Sequence, residues 1–154
     1  MSRRASRSAG WEQTLLVCAL IGTAQMTWGV VVPVLPVYVT AMHIPVAALG
    51  PIIAAFAIGR VVANIPAGLL LARVRPRPLL HIVLVALAIV TAATGFMQDP
   101  AWIVGFRLAA GVLGGAAVTV GFSVLLAGAP AAQRGRVVAV ATVVQMGAAA
   151  AGAL

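Results

Sequence analysis

Two arginines lie within long apolar stretches of the sequence, and they have the clearest capacity for chemistry. Arg60 is near the middle of the stretch 46–72, and Arg107 lies six residues after Ala101 in the stretch 101–127. A guanidinium at membrane depth costs about 2.5–3.5 kcal/mol even on the lenient insertion scale, so it should face a watery cavity or a partner. Both are predicted to line a pathway for an anionic substrate or for protons. For Arg60 the alternative is a structural role, bonded to backbone carbonyls of adjoining helices. For Arg107 the alternative is a role in packing alone.

Two uncharged polar residues accompany the arginines. Asn64 follows Arg60 by one helical turn, which places the two side chains on the same face of a helix. Gln25 is the only strongly polar group near the middle of the first apolar stretch. It is a candidate for the same pathway, and an interhelical hydrogen bond is the favoured alternative.

No carboxylate lies at comparable depth. Glu12 stands at the edge of the first apolar stretch, and Asp99 lies in a turn. Because arginine stays protonated, a proton-coupled carrier would need an acid from other helices. The alternative is an anionic substrate held by Arg60 and Arg107, and the sequence leaves both alternatives open.

The sequence shows no pattern typical of an enzyme or of a cofactor or metal site. Cys18 is the only cysteine, and the spacing of His43 and His81 matches no metal site. There is no phosphate-binding glycine loop, Ser/His/Asp set or carboxylate pair. The net charge of +8 comes from arginines in short loops or alone in apolar stretches. Without an aromatic stacking platform, this charge does not indicate a nucleic-acid partner.

The composition is that of an integral membrane protein. Apolar residues make up 63% and charged residues 8%, with a mean hydropathy of +1.14, against about 45–50% and 25% in soluble domains. A run of about 20 apolar residues crosses a bilayer core. We therefore predict an all-α, polytopic helical membrane protein with a tail at 1–13 and a transmembrane domain at 14–154. The predicted spans are 14–39, 46–72, 79–97, 101–127 and 137–154.

Arginine distribution predicts the orientation. The tail holds 3 arginines, the turn between spans 2 and 3 holds 3, and the turn between spans 4 and 5 holds 2, whereas the two opposite turns hold none. Cationic loops stay on the cytoplasmic side. The chain is thus expected to be a multi-pass protein of the cell (inner) membrane with a cytoplasmic N-terminus, surrounded by the lipid bilayer.

Two motifs resemble those of a known family. The sequence RLAAGVLGG at 107–115 resembles the helix 4 signature of the major facilitator superfamily, an arginine with a glycine four residues later. Gly111 and Gly115 share the arginine's face, where small residues let another helix approach closely, so both are predicted to serve helix packing. Residues 68–77 resemble the family's loop between helices 2 and 3.

The loop resemblance is partial. Gly68, Arg73 and Arg77 stand where the family has its glycine and basic residues, but Ala72 replaces its aspartate and Arg75 its second glycine. By resemblance, the three matching residues belong to a cytoplasmic gate, and the missing carboxylate should weaken it. The alternative role of the three loop arginines, Arg73, Arg75 and Arg77, is in topology and attraction to anionic lipid.

The resemblance implies a secondary active transporter whose two halves contain six helices each. It also implies a role for Arg107 in substrate contact and proton coupling. The chain would represent about the first five helices, a partial N-terminal six-helix bundle. Because residue 154 still lies in an apolar stretch, truncation is expected, and the chain alone should be inactive.

The expected function is export of a drug or small metabolite, an anionic or amphipathic small molecule, with protons as the candidate coupling ion. A small self-associating membrane protein is the alternative, either a dimeric multidrug exporter or a non-transporting scaffold subunit. Such small exporters carry a membrane-embedded glutamate in span 1, and Glu12 is too close to the membrane edge for that role.

Overall fold

The structure, a computed structural model, describes residues 2–41 and 43–154, and for residues 2–11, 13, 32 and 38 the backbone alone. Five helical segments are long and apolar enough to cross a membrane. The described residues contain no strand, and the predicted all-α polytopic fold class is confirmed. The helices are α1 (Ser2–Gly29), α2 (Val31–Thr40), α3 (Leu49–Leu71), α4 (Pro76–Thr94), α5 (Pro100–Gly128) and α6 (Arg134–Gly152), with 3₁₀ turns at Val46–Ala48 and Ala131–Gln133.

The first spanning segment is divided between α1 and α2 near Val30. Proline has no backbone N–H and its ring crowds the carbonyl four residues earlier, which for Pro33 is that of Gly29. Val30 keeps helical angles (φ −57°, ψ −29°), and its N–H still donates to the Met26 carbonyl at 3.0 Å. The division is therefore a kink in one continuous segment, placed one turn before the proline that causes it.

Proline also defines where α4 and α5 begin. Pro76 and Pro100 occupy first-turn positions, where the missing N–H has no helical partner to lose. The Asp99 carboxylate caps α5 by accepting the Ala101 N–H at 2.8 Å. As a result α4 starts three residues before the predicted span and includes Arg77 in its first turn.

The bundle is organised around α5, which packs against α1, α3, α4 and α6. Its most extensive contact is with α3, and α1 in turn packs closely against α6. One apolar core joins these helices, and a second, smaller cluster contains Leu35, Ile44, Ile52 and Ile103 at the ends where α2, α3 and α5 meet. α5 therefore presents its side chains to the other spanning helices.

Helices α3 and α5 run parallel in a constant register. Phe56 lies opposite Gly111, Arg60 opposite Gly115 and Asn64 opposite Thr119, so contacting residues are 55 positions apart at each level. This register decides which side chains of the two helices meet, and it brings Phe56 beside the turn that carries Arg107.

Candidate functional site

Arg107 lies inside the helix bundle. Its residue surface is only 4% exposed, and it stands about 9 Å along α5 from Ala101. The guanidinium carbon is 5.6 Å from the centroid of the Phe56 ring on α3. A ring face attracts a cation by about 2 kcal/mol or more when the pair is desolvated, so Phe56 compensates part of the cost of burying this charge.

A second aromatic ring supports Phe56 from α1. The ring centroids of Trp28 and Phe56 are 4.6 Å apart, with an interplanar angle of 23°. Such stacked pairs contribute about 0.5–1.5 kcal/mol beyond the area they bury. The Trp28–Phe56–Arg107 stack thus joins α1, α3 and α5 at one level of the bundle.

A cavity of about 330 Å³ lies between the kinked first segment, the end of α4 and Arg107. The buried Arg107 and Thr94 line its inner part, whereas Met26 (40% exposed) and Val30 (49% exposed) lie at its mouth. Its lining residues are Thr23, Met26, Thr27, Val30, Val31, Val34, Thr91, Thr94, Gly95 and Arg107.

The threonine hydroxyls of this cavity differ in what they can offer a ligand. Those of Thr23, Thr27 and Thr94 donate to carbonyls of their own helices at 2.7–2.8 Å. The buried Thr91 hydroxyl has no hydrogen-bond partner among the residues that the structure describes. It can therefore donate a hydrogen bond into the cavity, alongside the Arg107 guanidinium.

Arg60 and Asn64 lie outside this cavity, on the α3–α5 contact. Arg60 is half-buried, and its side chain forms no hydrogen bond or ion pair within residues 2–41 and 43–154. The exposed Asn64 accepts a hydrogen bond from the Thr119 hydroxyl at 3.2 Å through Oδ1. Arg60 and Arg107 are thus placed at different levels of one helix pair.

Gln25 is buried on α1, with 3% of its surface exposed, but does not line the cavity. The neighbouring helix α6 carries a second buried glutamine, Gln145, which is 7% exposed. Sequence reasoning missed Gln145, although an amide in the apolar stretch 137–154 is the same signal that identified Gln25.

The glycines of α5 lie directly against the α3 backbone. A Cβ atom on Gly111 would come within 2.9 Å of the Phe56 carbonyl carbon, and one on Gly115 within 2.8 Å of the Arg60 carbonyl oxygen. Cβ atoms essentially never approach so closely. The helix crossing at this level therefore requires a residue without a side chain.

Of the three residues predicted to lie in a loop, only Arg73 does so, since Gly68 lies in α3 and Arg77 in the first turn of α4. All three are exposed, and none lines the cavity. Nothing lies within 4 Å of the space that a Gly68 Cβ would occupy. The Arg77 carbonyl accepts a hydrogen bond from His81 Nδ1 at 2.9 Å, as part of the first turns of α4. The loop is held by backbone bonds such as that from the Val74 N–H to the Leu70 carbonyl at 2.9 Å.

Sequence reasoning also missed Trp28, Phe56 and Thr91. Each stands in an apolar stretch where its residue type is common. Only the packing of the helices places these residues next to Arg107 or its cavity. The spacing of Thr91 and Thr94, which puts two hydroxyls on one helix face, was the one available signal.

Comparison of the sequence with known proteins identifies the family of the chain. No curated protein and no solved structure gives a significant match to the chain. The sequence model of the Major Facilitator Superfamily matches residues 17–154, which include all five candidate spanning segments except the first three residues of the first one. Since the match extends over most of its length, the chain belongs to the major facilitator superfamily.

Proposed function

We propose that this chain provides the N-terminal helices of a secondary active transporter that exports a small metabolite or drug. The observation that carries the proposal is the buried Arg107 beside an open cavity, in a chain that matches the major facilitator family. A cation inside a helix bundle is typical of a substrate or ion pathway. The proposal places the protein in the cell (inner) membrane with its N-terminus in the cytoplasm.

In this proposal Arg107 holds the substrate and the other polar residues line the remaining path. Carriers of this type bind substrate near mid-membrane between two halves, which rock to expose it to each side. Arg60, Asn64 and Gln25 are assigned to the pathway away from the cavity. Gly68, Arg73 and Arg77, on the opposite side of the membrane from the Asp99 turn, are assigned to the gate.

Proton coupling would require a carboxylate from beyond these helices. The only acids of the chain, Glu12 and Asp99, lie outside the five candidate spanning segments. Arginine does not release its proton in proteins. In this proposal, protons, if coupled, therefore move on a group supplied by helices outside the five spanning segments.

Transport into inverted membrane vesicles tests the proposal. Vesicles that contain the carrier with this chain should accumulate substrate under an ion gradient, and Arg107→Gln should reduce the initial rate by about tenfold or more. Arg134→Gln, which removes an exposed arginine outside the cavity, is the matched control and should keep the rate.

We expect no flux from the reconstituted 154-residue chain alone, since five helices build one side of a path.

Equal rates for Arg107→Gln and Arg134→Gln would contradict the proposed role of Arg107. Flux through the reconstituted 154-residue chain would contradict the need for a second half.

A further inference from the structure

We propose that the cavity beside Arg107 binds a small amphipathic monoanion, with its charged group at Arg107 and Thr91 and its apolar body along the kinked first segment. This inference rests on the proposed transport function, because it names the substrate class of the same site. It goes further by choosing among anionic, neutral and cationic small molecules.

The polar end of the cavity is made of hydrogen-bond donors. Arg107 brings a permanent positive charge and several N–H groups, and Thr91 brings a buried hydroxyl whose oxygen has no partner within the described part of the chain. No acidic residue is among the described residues that line the cavity. A ligand with an acceptor-only head, such as a carboxylate, satisfies both groups, whereas an ammonium would be repelled.

The other end of the cavity is apolar. It is lined by Met26 before the kink, by Val30 at the kink, and by Val31 and Val34 after it. These side chains offer only dispersion contacts and the benefit of burying apolar surface. The ligand therefore needs a hydrocarbon portion next to its charged head.

Charge and size limit the ligand further. Within the described part of the chain, Arg107 is the only cation that lines the cavity, and Arg60 does not line it. A second negative charge on the ligand would thus enter the cavity uncompensated. The volume of about 330 Å³ is at the lower end of the range of about 300–1,000 Å³ for small-molecule pockets, which favours a single short chain or one small ring.

Binding of a charge series to the full chain in nanodiscs tests the inference. Octanoate, octanol and octylamine share one chain and differ in the charge of the head group at neutral pH. Trp28 contacts Phe56 next to Arg107 and is the reporter, with Trp11→Phe and Trp102→Phe removing the other indole signals. Octanoate should change the Trp28 emission in a saturable way and bind at least about tenfold more tightly than octanol or octylamine.

Substitutions then locate the site. Arg107→Gln should weaken octanoate binding by about tenfold or more and Thr91→Val by a smaller factor, since the isosteric valine keeps volume and removes the hydroxyl. Arg134→Gln is the matched control: it removes an exposed arginine that does not line the cavity and should leave the affinity unchanged. If Arg107→Gln does not fold, the ligand series and Thr91→Val still decide the question.

The inference is overturned if octanol or octylamine binds as tightly as octanoate, or if Arg134→Gln weakens binding as much as Arg107→Gln. Nanodiscs of phosphatidylcholine with and without phosphatidylglycerol distinguish two sources of the anion. Competition by the anionic lipid identifies a lipid head group as the occupant, and its absence identifies a free anion. Transport of a neutral or cationic compound without octanoate binding would overturn this inference but leave the transport proposal standing.

Discussion

At the scale of single residues, the bundle contains a cation that the rest of the structure must accommodate. Arg107 is 4% exposed, lies over the ring of Phe56 and lines a cavity that opens at Met26 and Val30. The ring face and the cavity are two different ways to lower the cost of a buried charge, one by attraction and one by access to water or ligand.

The substitution Phe56→Leu tests whether the aromatic ring face stabilises the buried Arg107. Leucine keeps an apolar side chain but removes both the stack with Trp28 and the ring face under Arg107. We expect the free energy of unfolding to fall by about 2–3 kcal/mol, from the combined loss of aromatic and cation–π contacts. Reversible unfolding in mixed detergent micelles, followed by circular dichroism, measures the change.

Phe96→Leu is the matched control for that substitution. Phe96 is 83% exposed, so its replacement should alter the free energy of unfolding by no more than about 0.5 kcal/mol. If the two variants are equally stable, the Trp28–Phe56–Arg107 stack does not support the bundle.

The residue types alone predict part of this site. Arg107 was identifiable as a candidate because a charge in an apolar stretch has a visible cost. Phe56 and Thr91 were not, because phenylalanine and threonine are unremarkable in a spanning helix. Their importance depends on the register between α3 and α5 and on the position of α4, and neither is set by any short motif.

At the scale of helices, the α3–α5 crossing fixes the geometry of the site. The two backbones approach at Gly111 and Gly115, and this approach brings Phe56 close enough to reach Arg107. The spacing of these glycines predicted a close helix contact, but not which helix makes it. The kink shows a similar limit: a proline within a spanning helix indicates a bend, but the division lies at Val30, one turn before Pro33.

Alanine substitutions at two glycines of α5 test the crossing. Alanine stabilises a helix interior by about 1 kcal/mol relative to glycine, so Gly105→Ala, with open space around its Cβ, should be neutral or stabilising. Gly111→Ala places a methyl group against the Phe56 backbone and should destabilise the protein by about 1–3 kcal/mol, as overpacked cores do. Unfolding midpoints of the two variants, measured side by side, provide the comparison.

A Gly111→Ala variant as stable as Gly105→Ala would show that α3 and α5 are not in the contact that the structure gives them. Gly111→Ala should also lower the affinity for octanoate, because a displaced α3 moves the Phe56 ring away from Arg107.

At the scale of the whole molecule, the hydropathy of the sequence predicted the architecture well. Five apolar stretches correspond to five helical segments, and the all-α fold class follows from composition and length. The sequence could not predict the cavity, because it lies between α1, α2, α4 and α5 and depends on how they pack together.

The orientation of the chain in the membrane is a separate prediction. In a Cys18→Ala background, Gln98→Cys should react with a membrane-impermeant maleimide in intact cells, because the turn at Asp99 holds no arginine and is expected outside. Gln133→Cys, in the turn next to Arg134 and Arg136, should react only after permeabilisation. Both glutamines are exposed, so reactivity reports the side of the membrane. The reverse pattern would contradict the cytoplasmic N-terminus.

Arg107 gives the bundle a positively charged cavity that is open to small molecules, and charge-selective labelling at position 91 is the decisive measurement of this property. In the Cys18→Ala background, Thr91→Cys is treated with methanethiosulfonates that carry a sulfonate or a trimethylammonium group. Each rate is divided by the rate of that reagent with a free thiol in water. We expect the normalised rate to be higher for the anionic reagent than for the cationic one. Adding Arg107→Gln should remove this preference, and octanoate should protect the cysteine. No reaction with either reagent, or a preference for the cationic one, would contradict this expectation.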